Sequence, residues 1–266
     1  MDSTTTISIV VLSITLAILL GESVYLANKL NGKLAPIGLL LQVLLCAARA
    51  ATLIVELLVP NIKCVLLGEV GMAIYAFWIT ALDSVLLLRA SVFVSFVAND
   101  TMKKVFIGIC SIQICISLFI QMYVASTASN LTVAQPYCTI VANFQPQNYT
   151  LINRCILYVL FATPFAYKAF ASYKSDLMPR NEAAMWTKMS VNNMIFTLLI
   201  IILELVAAKV SNITSLVKWL TLFFGCVNFF EANILLLIID DTKNLLTKAK
   251  SSSGSQAVST KFESKV

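Results

Sequence analysis

Apolar residues in this chain come in long blocks, each broken by a short polar stretch. A block of about 20 apolar residues, rising 1.5 Å per residue as a helix, crosses a hydrocarbon core of about 30 Å. The pattern therefore predicts seven spanning helices, over residues 7–27, 37–58, 65–97, 105–122, 155–171, 188–208 and 218–239. The third block is the longest, which predicts a tilted helix or one that extends into water. The expected fold class is all-α, a polytopic bundle of seven transmembrane helices within residues 1–241. Residues 242–266 are rich in Ser, Gly and Lys, cannot bury a core, and read as a disordered tail. No basic residue precedes the first block and Asp2 stands there instead, so that block is expected to be kept as a span, not cleaved as a signal.

Composition agrees with the blocks. Hydrophobic residues make up 59% and charged residues 12% of the 266, against about 45–50% and about 25% in soluble domains. The net charge of +6 does not point to nucleic acid, because the basic residues cluster in loops between spans. There is no histidine. That removes the commonest general base and metal ligand, and with them Ser-His hydrolases and His-ligated zinc sites. No enzymatic activity, cofactor or metal is expected.

The loops set the predicted orientation. Of 19 Lys and Arg, thirteen fall in the segments 29–33, 103–104, 168–188 and 243–265, which share one side. Four, Lys63, Arg154, Lys209 and Lys218, fall on the other, and Arg49 and Arg89 lie inside spans. The basic side is cytoplasmic by the positive-inside rule, so the N-terminus is predicted outside and the C-terminus in the cytoplasm. The glycosylation triplets at Asn130, Asn148 and Asn212 fall in loops predicted to be external, and the one at Asn99 in a loop predicted to be internal. Only the first three are expected to carry glycans.

Two cysteines follow from that orientation. Cys64 opens the third span on the outer side, and Cys138 lies in the long loop on the same side. In an oxidising compartment a bridge between them would pin the loop over the bundle mouth. Cys155 lies near the same boundary and is the competing partner.

Ionisable residues within the blocks are the candidate sites, since charges in a bilayer face the bundle interior and find partners. They are Glu22, Arg49, Glu56, Glu69, Asp83, Glu204 and Glu231. Helical rise puts Arg49 about 18 Å and Glu231 about 13 Å from the inner ends of their spans. The expected buried pair is Arg49 with Glu231, with Asp83 as the second choice. Glu56, Glu69 and Glu204 lie towards the outside at depths shared with Tyr75 and Trp78. Acids with aromatic walls suit a cationic ligand; the competing reading is an interfacial aromatic belt with hydrated acids.

Arg89 stands 25 residues beyond Cys64, about 37 Å along a helix, and so at the cytoplasmic end of the third span. A cysteine opening the third of seven helices, a partner cysteine in the second external loop, that arginine, and Pro164 in "LFATPFAYKAF" together resemble G-protein-coupled receptors of the rhodopsin-like kind. The motif departs from that family in several places. Leu88 replaces the acid before the arginine, the sixth span has neither Trp nor Pro, the seventh lacks Asn-Pro-x-x-Tyr, and the second carries Arg49. The resemblance implies a receptor-like protein that senses an external ligand and signals to a cytoplasmic partner through Arg89. The implied surroundings are the lipid bilayer of the plasma membrane or an endomembrane. The alternative reading is a transporter or channel using intramembrane acids, or a non-catalytic accessory membrane protein.

Overall fold

The computed structural model describes residues 3–28, 34–58, 64–94, 98–126, 132–134, 139–141, 144–174, 180–210, 219, 222–223 and 225–237, a few side chains within them excepted. Seven helices stand among the described residues: α1 (Ser3–Asn28), α2 (Leu34–Leu58), α3 (Cys64–Val94), α4 (Asp100–Ser126), α5 (Phe144–Lys174), α6 (Arg180–Val210) and α7 (Gly225–Leu237). Between α4 and α5 lies an antiparallel hairpin, β1 (Thr132–Ala134) with β2 (Thr139–Val141), which pairs Val133 with Ile140. The all-α expectation is thus met except for this small hairpin.

Among the described residues, four helical stretches are long and apolar enough to cross a membrane: α1, Ile37–Leu58, Gly68–Ser91 and α4. Shorter apolar stretches occupy Thr187–Leu203 of α6 and all of α7. The chain is a membrane protein. Its helices are amphipathic in the reverse of the soluble sense. On α1 the buried positions are Thr5, Ser8, Leu12, Thr15, Leu19, Ser23 and Leu26, a seam at alternating three- and four-residue steps. The opposite face shows Ile7, Val10, Ile14 and Ile18 to the surroundings. On α4 the seam is Cys110, Ile114, Ser117, Gln121 and Val124, and the outer face carries Val105, Ile109, Ile112, Ile116 and Phe119. In lipid there is no hydrophobic gain from turning a leucine inward, so small and polar residues take the helix contacts and aliphatic ones face the tails.

Prolines mark helix ends. Pro36 and Pro146 lie in the first turns of α2 and α5, where an amide hydrogen has no helical partner to lose. Pro179 precedes α6, and Pro60 follows the last residue of α2. Pro164 alone lies inside a described helix, where it frees the Leu160 carbonyl and favours a kink in α5. The start of α4 is capped. Asn99 Oδ1 accepts a hydrogen bond from the Met102 amide at 2.9 Å, and Asp100 supplies a negative charge in the first turn.

Consecutive helices pack as neighbours from α1 to α6, and α3 also meets α5. Helix α3 therefore touches α2, α4 and α5 and stands at the centre. Helix α7 closes the other side against α1 and α2. A Cβ at Gly225 would collide with Leu12 and lie 3.5 Å from Leu53. The Cys46 thiol of α2 meets the Asn228 carbonyl of α7 at 3.7 Å. The core runs through all seven helices, from Leu19 and Val43 to Trp78, Leu82, Cys110, Leu157, Ile200 and Leu235.

One boundary differs greatly from the expectation. Helix α5 begins at Phe144, not near Cys155. Its first turns, "FQPQNYTLINR", are too polar for hydropathy to register as part of a span. Asn148 consequently lies in the first turns of a helix, with its side chain outside the described residues. Asn130, Asn212, Cys138 and the tail 242–266 also lie outside the described residues, as does the side chain of Cys64. The expected Cys64–Cys138 bridge falls there. Cys155, the competing partner, is a half-buried free thiol on α5.

Candidate functional site

The longer polar start of α5 carries Arg154 into the bundle. The apolar-block pattern places this residue among external loop charges; in the fold it is 1% exposed. Its Nη2 lies 3.5 Å from Glu231 Oε2 of α7, and both side chains are 1% exposed. Arg154 also donates to the Tyr158 hydroxyl one turn further along α5. This corrects the expected pairing. Glu231 is a partner to a buried arginine, but the arginine is Arg154 and not Arg49.

Asp83 of α3 completes the cluster. It is fully buried and lies within electrostatic reach of Arg154, Glu231 and Tyr158. Neither of its carboxylate oxygens has a hydrogen-bond partner, nor has Glu231 Oε1. Tyr75, also on α3, interacts with both Arg154 and Glu231. Two carboxylates and one guanidinium therefore meet at the junction of α3, α5 and α7. Charges this deep cost several kcal/mol each unless paired.

Arg49 has a local partner. Its Nη1 lies 3.2 Å from Glu56 Oε1 and 3.2 Å from Thr52 Oγ1, all on α2. Seven residues turn a helix by about 700°, which returns Glu56 to the face of Arg49. The pair is covered by α3 at Gly71, where a Cβ would strike Arg49 Nη1 and lie 3.2 Å from Glu56 Oε1. Only the missing side chain lets α3 approach. Glu56, expected in a ligand pocket, is thereby paired with Arg49.

The other pocket candidates are placed as follows where they are described. Trp78 is fully buried in the hydrophobic core with its ring 5.7 Å from Tyr75. Tyr75 belongs to the Arg154 cluster, and Glu69 is half-buried near the start of α3. The Glu204 side chain lies outside the described residues.

At the other end of α3, Arg89 lies over the Phe165 ring, 4.7 Å from its centroid, and Phe165 in turn packs on Phe93 at 4.3 Å. Leu88 offers this arginine no charge, and the face of an aromatic ring on α5 takes that role. Phe165 directly follows Pro164. A cavity of about one water molecule's volume sits beside Arg89, lined also by Leu86, Tyr158, Phe161, Phe165, Thr197 and Ile200. Tyr158 borders both this cavity and the buried charges.

Sequence reasoning missed Arg154 and Tyr158. The available signal was their four-residue spacing beside Pro146, which together continue a helix upstream of the apolar block. Compared with known proteins, the chain matches no family model, no curated protein and no solved structure.

Proposed function

We propose that this chain is a non-enzymatic, receptor-like protein with seven membrane-crossing helices, its N-terminus outside and its C-terminus in the cytoplasm, which senses an external ligand and signals to a cytoplasmic partner. The observation that carries the reading is Tyr158, shared between the buried Asp83–Arg154–Glu231 charges and the cavity beside Arg89. Movement of α3 against α5 would alter both at once. Such a coupled, discretely rearranging contact is what a two-state transducer requires. Arg89, held by Phe165, is the group proposed to meet the partner once the ring moves aside.

The test is nucleotide exchange on heterotrimeric G proteins in membranes from cells expressing the full chain. Basal exchange above that of control membranes, lost in Arg89→Ala and not restored in Arg89→Lys, supports the reading, since lysine cannot reproduce a bidentate contact. Equal exchange in all three would refute it. Proton or cation transport is the second reading, favoured by two carboxylates facing one guanidinium. Ion flux in proteoliposomes that responds to Asp83→Asn would select it.

A further inference from the structure

The charge inventory at the α3–α5–α7 junction is unbalanced. Arg154 contributes one positive charge; Asp83 and Glu231 contribute two negative ones if both are ionised. Among the described residues, the other groups around them do not restore the balance. Tyr75 and Tyr158 are phenols, which carry no charge at neutral pH. Cys46 of α2 and Glu22 of α1 stand on the Glu231 side, and either would add negative charge if ionised. Helix α4 presents Cys110 and Ile114 to the core, and α6 presents Ile200. Arg49 is engaged by Glu56. A surplus charge buried this deep is poorly stabilised, and a group in that position takes up a proton instead of holding the charge.

Geometry distinguishes the two carboxyl groups. Glu231 has Arg154 Nη2 at 3.5 Å. Asp83 has no hydrogen-bond partner on either oxygen, although its residue is completely buried. Tyr158 accepts from Arg154, so its own hydroxyl hydrogen is left for another acceptor, and Asp83 lies within electrostatic reach of it. On its other side Tyr158 lines the cavity beside Arg89.

We propose that Asp83 is a proton-binding site, held as the neutral carboxylic acid in this arrangement of the helices and loaded from water in the Arg89 cavity by way of the Tyr158 hydroxyl. A hydronium ion in the cavity gives its proton to the Tyr158 oxygen as that hydroxyl passes its own proton to the Asp83 carboxylate. Tyr158 ends unchanged, the hydronium becomes water, and one O–H bond forms on Asp83. Loss of the proton leaves two carboxylates competing for Arg154 and repelling each other across α3 and α7. The junction then rearranges, which makes the bundle responsive to pH. The proposal does not depend on any ligand or signalling partner.

Infrared spectroscopy of the purified full chain in lipid nanodiscs tests it. At neutral pH the protein should show the C=O stretch of a buried carboxylic acid, and the band should weaken as the pH is raised. Heavy-carbon labelling of aspartate carboxyls should shift the band, labelling of glutamate should not, and Asp83→Asn should abolish it. The labelled wild-type protein gives this answer even where the variant folds poorly. The melting temperature should fall with rising pH in the wild type and stay flat in Asp83→Asn, because asparagine copies the neutral acid and cannot ionise. Absence of the band, a band that moves with glutamate labelling, or the same pH profile in both proteins would overturn the proposal. All these measurements omit G proteins, so their failure would leave the receptor reading standing, and the failure of that reading would leave them unaffected.

Discussion

Cutting the Arg154–Glu231 pair is the perturbation whose outcome the structure defines most sharply. The separation is 3.5 Å, with both side chains 1% exposed. At an effective dielectric of about 20, Coulomb's law gives an attraction of about 5 kcal/mol at that distance. Glu231→Gln leaves Arg154 with Asp83 as its remaining acid and should cost about 3 kcal/mol, at the lower end of the range for breaking a buried pair. Arg154→Gln leaves Glu231 buried beside Asp83 with no cation, and should cost about 5 kcal/mol, at the upper end of that range. The double variant removes both charges and should recover at least about 1 kcal/mol of the summed losses, within the usual range of coupling between residues in contact. Thermal melting of the four proteins in nanodiscs, with cell-surface expression as a second readout, measures the cycle. Additive losses with no recovery would refute the pair. Arg49→Gln combined with Glu231→Gln should by contrast be additive, since Arg49 is paired with Glu56.

Three further outcomes follow from individual contacts. Gly71→Val places a branched side chain against Arg49 and Glu56, and should lower stability by about 1–3 kcal/mol through overpacking; an unchanged melt would show that α3 does not approach α2 so closely. Under the proposed orientation, glycosylation mapping should modify Asn130, Asn148 or Asn212 and leave Asn99 bare; a glycan on Asn99, whose side chain caps α4, would reverse the topology. Non-reducing peptide mapping should join Cys64 to Cys138; a peptide joining Cys138 to Cys155 would contradict that bridge and the free thiol on α5.

Much of the fold was legible in one dimension. The apolar blocks of α1 to α4 are helices close to their expected limits, because backbone groups in lipid must be satisfied within the segment and a block of spanning length has only one way to do so. Helix α4 starts at Asp100, five residues before the apolar block, because Asn99 caps it, a local polar signal that hydropathy does not register. That buried charges would need partners was legible too, since the cost of an unpaired ion is a property of the medium. The identity of the partners was not. Depth along a helix follows from sequence, but two residues at one depth meet only if both helices are rotated to face each other. Arg49 turned to Glu56 on its own helix because Gly71 made room there. Arg154 reached Glu231 because α5 begins eleven residues earlier than hydropathy indicates, in a stretch whose polar residues conceal its helicity. Asp83 joined them only when α3 packed against α5. Hydropathy sums single residues and is blind to these angles; the tertiary packing of α3, α5 and α7 supplied them.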